Sequence, residues 1–108
     1  SKEYVQEGIN FVKKKQYENS IEYFNKAIKL TPQNGAIYFA KGVALDNLKR
    51  YQEAINEYDK VLEILAKNSS KKAKEKIVIT LNNKSISLIA LHRYTEAVDN
   101  YNKAIELD

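Results

Sequence analysis

From Tyr17 to Leu30 the apolar or small residues fall at Tyr17, Ser20, Ile21, Phe24, Ala27 and Ile28. Steps of three and four place them on one face of an α-helix, with charged and amide residues on the other. The pattern returns in RYQEAINEYDKVLEI from Arg50 to Ile64 and in RYTEAVDNYNKAIEL from Arg93 to Leu107. Upstream of each copy lies a second stripe with the same steps: Tyr4, Gly8 and Phe11, then Tyr38, Gly42 and Leu45, then Leu81, Ser85 and Leu88. The pattern therefore predicts three helix pairs and an all-α fold.

The copies are offset by 34 residues between the first and second, which carries Tyr4 to Tyr38, Gly8 to Gly42, Tyr17 to Tyr51, Phe24 to Tyr58 and Ala27 to Val61. Between the second and third the offset is 43, from Tyr51 to Tyr94, so nine extra residues lie within 66–78. Repeats are expected at about 1–34, 35–68 and 78–108, with an insertion at about 67–77, all within one domain. Pro32, the only proline, ends the first pair, because it lacks an amide donor and clashes with the preceding turn. In the insertion Asn68 can close one helix and Ser69 or Ser70 can cap the next, so the third pair's first helix is expected to start about two turns early. Glycine inside a helix costs about 1 kcal/mol relative to alanine, so Gly8 and Gly42 imply a close approach by a partner helix. Ser85 in the third copy would hold its pair slightly further apart. Glu18, Glu53 and Glu96 fall near the starts of second helices, where carboxylates oppose the positive end of the helix dipole.

The 34-residue period, with small and aromatic residues at these intervals and a closing proline, resembles the tetratricopeptide repeat over essentially the whole chain. Ala66 in place of the closing proline, Ser85 in place of glycine, and the insertion depart from that pattern. The resemblance implies a right-handed superhelix of three helix-turn-helix units, with the third unit's first helix extended, and a protein-interaction role. It also implies a concave surface lined by the first helix of each unit, which places Val5, Ile9 and Val12 there, then Ala36, Phe39 and Val43 followed by Asp46 and Asn47, then Ile79, Asn82, Asn83, Ile86 and Ile89. Of these, Val5, Ile9, Val12, Phe39, Val43, Asn82, Asn83 and Ile86 are the candidate peptide-binding residues. This stripe is more apolar than a surface meant only for water, so the expected ligand is an apolar or amphipathic segment. One subclass of the family clamps the C-terminal carboxylate of chaperones such as Hsp70 and Hsp90 with Lys, Asn and Arg. Aligned here, that ring falls on Val5, Ile9, Ala40, Ile79 and Asn83, of which only Asn83 can donate a side-chain hydrogen bond. Tight, carboxylate-dependent binding of such tails is therefore not expected.

Composition narrows the function further. The 108 residues are 44% hydrophobic and 30% charged, with a net charge of +4, a soluble globular balance short of a nucleic-acid footprint. The absence of cysteine excludes disulfides and thiolate chemistry. No apolar run is long enough to span a bilayer, so no membrane role and a cytoplasmic location are expected. The chain starts at Ser1 and contains no methionine, as a piece of a longer protein would. His92, the only histidine, falls at an inter-helix turn and reads as a surface residue, and Glu53 with Glu57 read as solvated charge. No phosphate loop, nucleophile elbow or metal-ligand spacing occurs, so neither catalysis nor a cofactor is expected. Seven of the eight tyrosines, all but Tyr23, sit at repeated packing positions, which removes the case for stacking on nucleic acid. Lys67, Lys71, Lys72, Lys74 and Lys76, with Lys13 to Lys15, read as solvated charge. Two readings come ahead of nucleic-acid binding: a scaffold whose groove receives a peptide or helix, and a structural stretch of a longer superhelix or self-associating domain whose concave face is covered by its own chain or another copy.

Overall fold

The computed structural model describes residues 2–108 and contains six helices among them: α1 (Lys2–Lys13), α2 (Tyr17–Leu30), α3 (Gly35–Asn47), α4 (Tyr51–Leu65), α5 (Lys71–Ala90) and α6 (Tyr94–Leu107). Each packs against its neighbours in sequence, so three antiparallel pairs stack in a row. At 20 residues α5 is the longest, against 13 for α3, its counterpart in the second pair. It starts where the sequence predicted. Ser70 caps it by accepting from the Ala73 amide at 3.1 Å, and the Asn68 side chain accepts from the Ser70 amide at 3.0 Å.

The three turns inside the pairs share one backbone solution. Lys15, Lys49 and His92 adopt positive φ of 59°, 61° and 61°. The next amides along the chain, of Gln16, Arg50 and Arg93, donate back to the carbonyls of Phe11, Leu45 and Leu88 at 2.9, 2.9 and 2.8 Å. This is the left-handed helix stop usually given to glycine, here filled by longer side chains. Between the first two pairs, Asn34 caps α3 by accepting from the Ala36 amide, and the Tyr38 hydroxyl donates to the Pro32 carbonyl at 2.8 Å.

The close approach expected at the glycines is present. A methyl group at Gly42 would lie 2.7 Å from the Tyr58 ring, and one at Gly8 would lie 2.5 Å from Phe24. In the third pair Ser85 is buried, with its Oγ 2.8 Å from the Leu81 carbonyl and 3.3 Å from that of Ala97. Three apolar clusters succeed one another along the stack. One joins Phe24, Ala27 and Ile37, the next Ile21, Ala44, Leu45, Ala54 and Tyr58, and the third Ile55, Leu88 and Ala97.

Two sequence expectations need correction. Tyr94 is exposed rather than packed in the core, because no further pair covers α6 among the described residues, and Tyr4, 37% exposed, packs its ring on that of Tyr23 at 6.3 Å instead of entering a buried cluster. Tyr23, the tyrosine left out of the packing set, is half-buried and stacks on Phe11 with ring centroids 5.4 Å apart. Glu57 is likewise not solvated charge: it is half-buried and pairs with Lys41 at 3.5 Å, while Glu53 pairs with Arg50.

Candidate functional site: an apolar groove

Side chains one position along from the packing stripe of α1, α3 and α5 belong to the expected groove, and they divide by depth. Val5 and Val12 are half-buried against the cluster of Phe24, Ala27 and Ile37. Phe39 and Val43 are half-buried against the central cluster, the Phe39 ring tilted 50° to that of Tyr58 at 5.7 Å. Ile9 and Ile86 are exposed, and Asn82 and Asn83 are half-buried. On α1 and α3 the stripe thus contributes partly to the core, whereas Ile79, Ile86 and Ile89 on α5 are open to solvent.

A cavity of about 490 Å³ opens between the start of α3, the end of α4 and the first half of α5. Its walls are mostly apolar: Phe39 from α3, Val61, Ile64 and Leu65 from α4, and Ile79 from α5, with Lys76 the one charged residue. Of the eight candidate residues only Phe39 lines it. The α4 wall escaped the sequence reading, which assigned the concave face to first helices alone. The nine-residue change in repeat offset was the available signal, since Lys76 belongs to the early turns of α5 that this insertion supplies.

Asp46, read from sequence as a groove residue, has a different role. Its carboxylate accepts from the Tyr58 hydroxyl on α4 at 2.6 Å and from Ser87 Oγ on α5 at 2.7 Å, tying three helices across two pairs. Burial raises its pKa above 3.8, with the two hydroxyl donors acting in the opposite direction. Burial and the adjacent carboxylate push the Tyr58 phenol well above its ordinary value, so it stays a donor. Asn47 also turns inward to its own helix, donating to the Val43 carbonyl at 2.9 Å.

His92 is exposed, its Nδ1 2.6 Å from the Tyr94 hydroxyl. No group of three or more His, Asp or Glu is placed to hold a metal ion among the described residues. No helix of these residues is long and apolar enough to cross a membrane.

A stack of helix pairs with an open apolar groove is the architecture of a helical-repeat scaffold. The family model described as "Tetratricopeptide repeat" matches residues 33–108 and one described as "TPR repeat" matches 8–48. The chain belongs to the tetratricopeptide repeat family, and its three helix pairs form the superhelical fold of that family. It is 43% identical over 51 residues to an uncharacterized protein of Methanocaldococcus jannaschii, a match covering 47% of this chain and 59% of that one. It is 40% identical over 62 residues to a TPR repeat-containing protein of Borreliella burgdorferi, covering 57% of this chain and 26% of that one. The chain therefore spans from about a quarter to under two thirds of the curated relatives it matches. Among solved structures, the TPR2B domain of yeast Sti1 in complex with pHsp70 superposes with a TM-score of 0.83 at 23% identity, covering 99% of this chain and 78% of that one. Members of this family are generally protein-protein interaction scaffolds without catalytic activity of their own.

Proposed function

We propose that this chain binds an apolar or amphipathic segment of a partner protein along its concave face, with a bulky apolar side chain seated in the cavity between α3, α4 and α5. The observation that carries this reading is the cavity itself: about 490 Å³, walled by Phe39, Val61, Ile64, Leu65 and Ile79, the last of these on the helix that also carries the exposed Ile86. Fully burying one large aliphatic or aromatic side chain contributes about 1.5–3 kcal/mol, enough for such a seat to anchor a short segment. Val5, Ile9, Val12, Phe39, Val43, Asn82, Asn83 and Ile86 extend the contact along the groove in this reading. The yeast Sti1 domain of the same fold was solved with pHsp70, which supports segment binding as a use of this architecture. The lack of basic residues at the clamp positions argues for an apolar anchor in this chain instead of a terminal carboxylate.

The test is selection from a random peptide display library on the wild type and on an Ile79→Lys, Ile86→Lys variant. Both positions are exposed, so the variant keeps the packing, whereas a change at Phe39 would also strike Tyr58. Motifs with a bulky apolar residue, held by the wild type and weakened at least about tenfold in the variant, are expected, a difference of about 1.4 kcal/mol. Failure to select any motif, or equal retention by both proteins, would remove this reading. The competing reading, a stretch of a longer superhelix or a self-associating domain, draws on the exposed apolar face of α6 at Val98 and Ile105.

A further inference from the structure

The net charge of the molecule is concentrated in one segment. Residues 67–76 carry five lysines and one glutamate, a net charge of +4, whereas the other 98 residues hold thirteen cations and thirteen carboxylates. Lys67, Lys71, Lys72, Lys74 and Lys76 are exposed, and none takes part in an ion pair among the described residues. Lysines further along the same face of the stack are matched: Lys41 pairs with Glu57 at 3.5 Å and Lys84 with Asp59 at 2.6 Å. These 108 residues therefore hold no excess of acid to neutralise the segment, in one copy or in two.

Two of the five lysines share a face with the groove. Lys72, Lys76, Ile79, Asn83 and Ile86 follow one another at steps of four and three, which makes them a single stripe along α5. Lys76 and Ile79 both line the cavity between α3, α4 and α5, and no carboxylate lines it. The stripe is thus basic toward the start of α5 and apolar or neutral beyond Ile79. At 1.5 Å of rise per residue, Lys72 stands about 10 Å along the helix from Ile79, the reach of about three residues of extended chain. Nucleic acid fits this arrangement less well than protein, because the one aromatic ring of the cavity, Phe39, is half-buried and leaves no open face for a base to stack on.

We infer that the partner segment bound in the groove is acidic on one side of its apolar anchor: with the anchor seated in the cavity, Asp or Glu side chains within about three residues of it meet Lys76 and Lys72. This inference rests on the groove reading above and adds its specificity. Lys72 and Lys76 select internal carboxylate side chains of a partner protein, not its chain terminus, and the acids lie on one side of the anchor only, since the stripe beyond Ile79 has no cation to meet them.

The test is selection from a random peptide display library on the whole chain at low salt, followed by anisotropy titrations of the selected peptides as synthetic, fluorescein-labelled and C-terminally amidated molecules. Motifs with a bulky apolar residue and two or more acids on one side of it are expected. Their binding is expected to weaken at least about tenfold on Lys72→Glu, Lys76→Glu substitution, and to weaken for the wild type as NaCl is raised from about 20 mM to about 300 mM. Replacing the acids of the peptide by lysine is expected to restore binding to that variant and abolish it for the wild type, an exchange that a merely structural role of the two lysines would not produce. Both lysines are exposed, and Lys72 lies in the first turn of α5, where a carboxylate is favourable, so the thermal unfolding of the variant is expected to match the wild type. Apolar motifs without an acidic bias, lost in the Ile79→Lys, Ile86→Lys variant but held by the Lys72→Glu, Lys76→Glu variant, would leave the groove reading standing and overturn this one. No motif at all overturns both. Lysine-dependent binding of single-stranded RNA or of phosphatidylserine vesicles without an acidic motif would assign the lysines to another anion and overturn it too, as would a dimer in sedimentation that the Lys72→Glu, Lys76→Glu variant dissociates.

Discussion

The carboxyl group of Asp46 is half-buried between hydroxyl donors on two other helices, and desolvation wins over those donors in setting its pKa. The folded value lies above 3.8, so in the interval above 3.8 the native state holds more protons than the unfolded chain. The stability this group adds is full below that interval and is lost as the pH rises through the folded pKa. Wild type is therefore expected to lose stability relative to Asp46→Asn as pH rises from about 3.5 to about 6.5, measured by urea unfolding of both proteins across that range. The opposite slope would mean that hydrogen bonding from Tyr58 and Ser87 outweighs burial. Nothing in the repeat pattern identified this role, since the aligned positions are Val12 and Ile89 and the contact to Ser87 spans 41 residues.

At the level of single helices, α5 is the element whose start was legible from local chemistry alone. A serine after an asparagine, ahead of a run of good helix formers, is a cap signal that needs no tertiary partner. Ser70→Ala removes the acceptor for the Ala73 amide and is expected to cost about 1 kcal/mol, read from the urea midpoint at unchanged slope. An unchanged midpoint would show that the first turns of α5 frayed already in the wild type. The stops of α1, α3 and α5 were harder to read. Their positive-φ residues are Lys15, Lys49 and His92, so the residue type that normally marks this turn is missing, and only the shared backbone bonds reveal it.

Across the whole stack, each pair is stabilised by its neighbours, and the ends have one neighbour each. The middle pair is flanked on both sides and holds the largest fully buried side chain, Tyr58. Amide hydrogen exchange is expected to be slowest in α3 and α4 and faster in α1 and α6 by at least about tenfold. Uniform protection along the chain would instead indicate that the three pairs open only together. The same asymmetry explains the tyrosines: equivalent sequence positions became half-buried at Tyr17 and Tyr51 but exposed at Tyr94, because no further pair covers α6 among the described residues.

The sequence by itself determined the helices, their pairing and the early start of α5, because apolar period, breakers and caps act over a few residues and because repetition shows the same solution three times. It also marked the apolar stripe on α1, α3 and α5. Only the tertiary structure decided which of those side chains remain open, that Asp46 joins two pairs, and that Val61, Ile64 and Leu65 complete a cavity with Phe39 and Ile79. Those outcomes depend on how one pair sits against the next, and the nine-residue insertion changes that placement at the α4–α5 junction, where a repeat pattern no longer specifies distance.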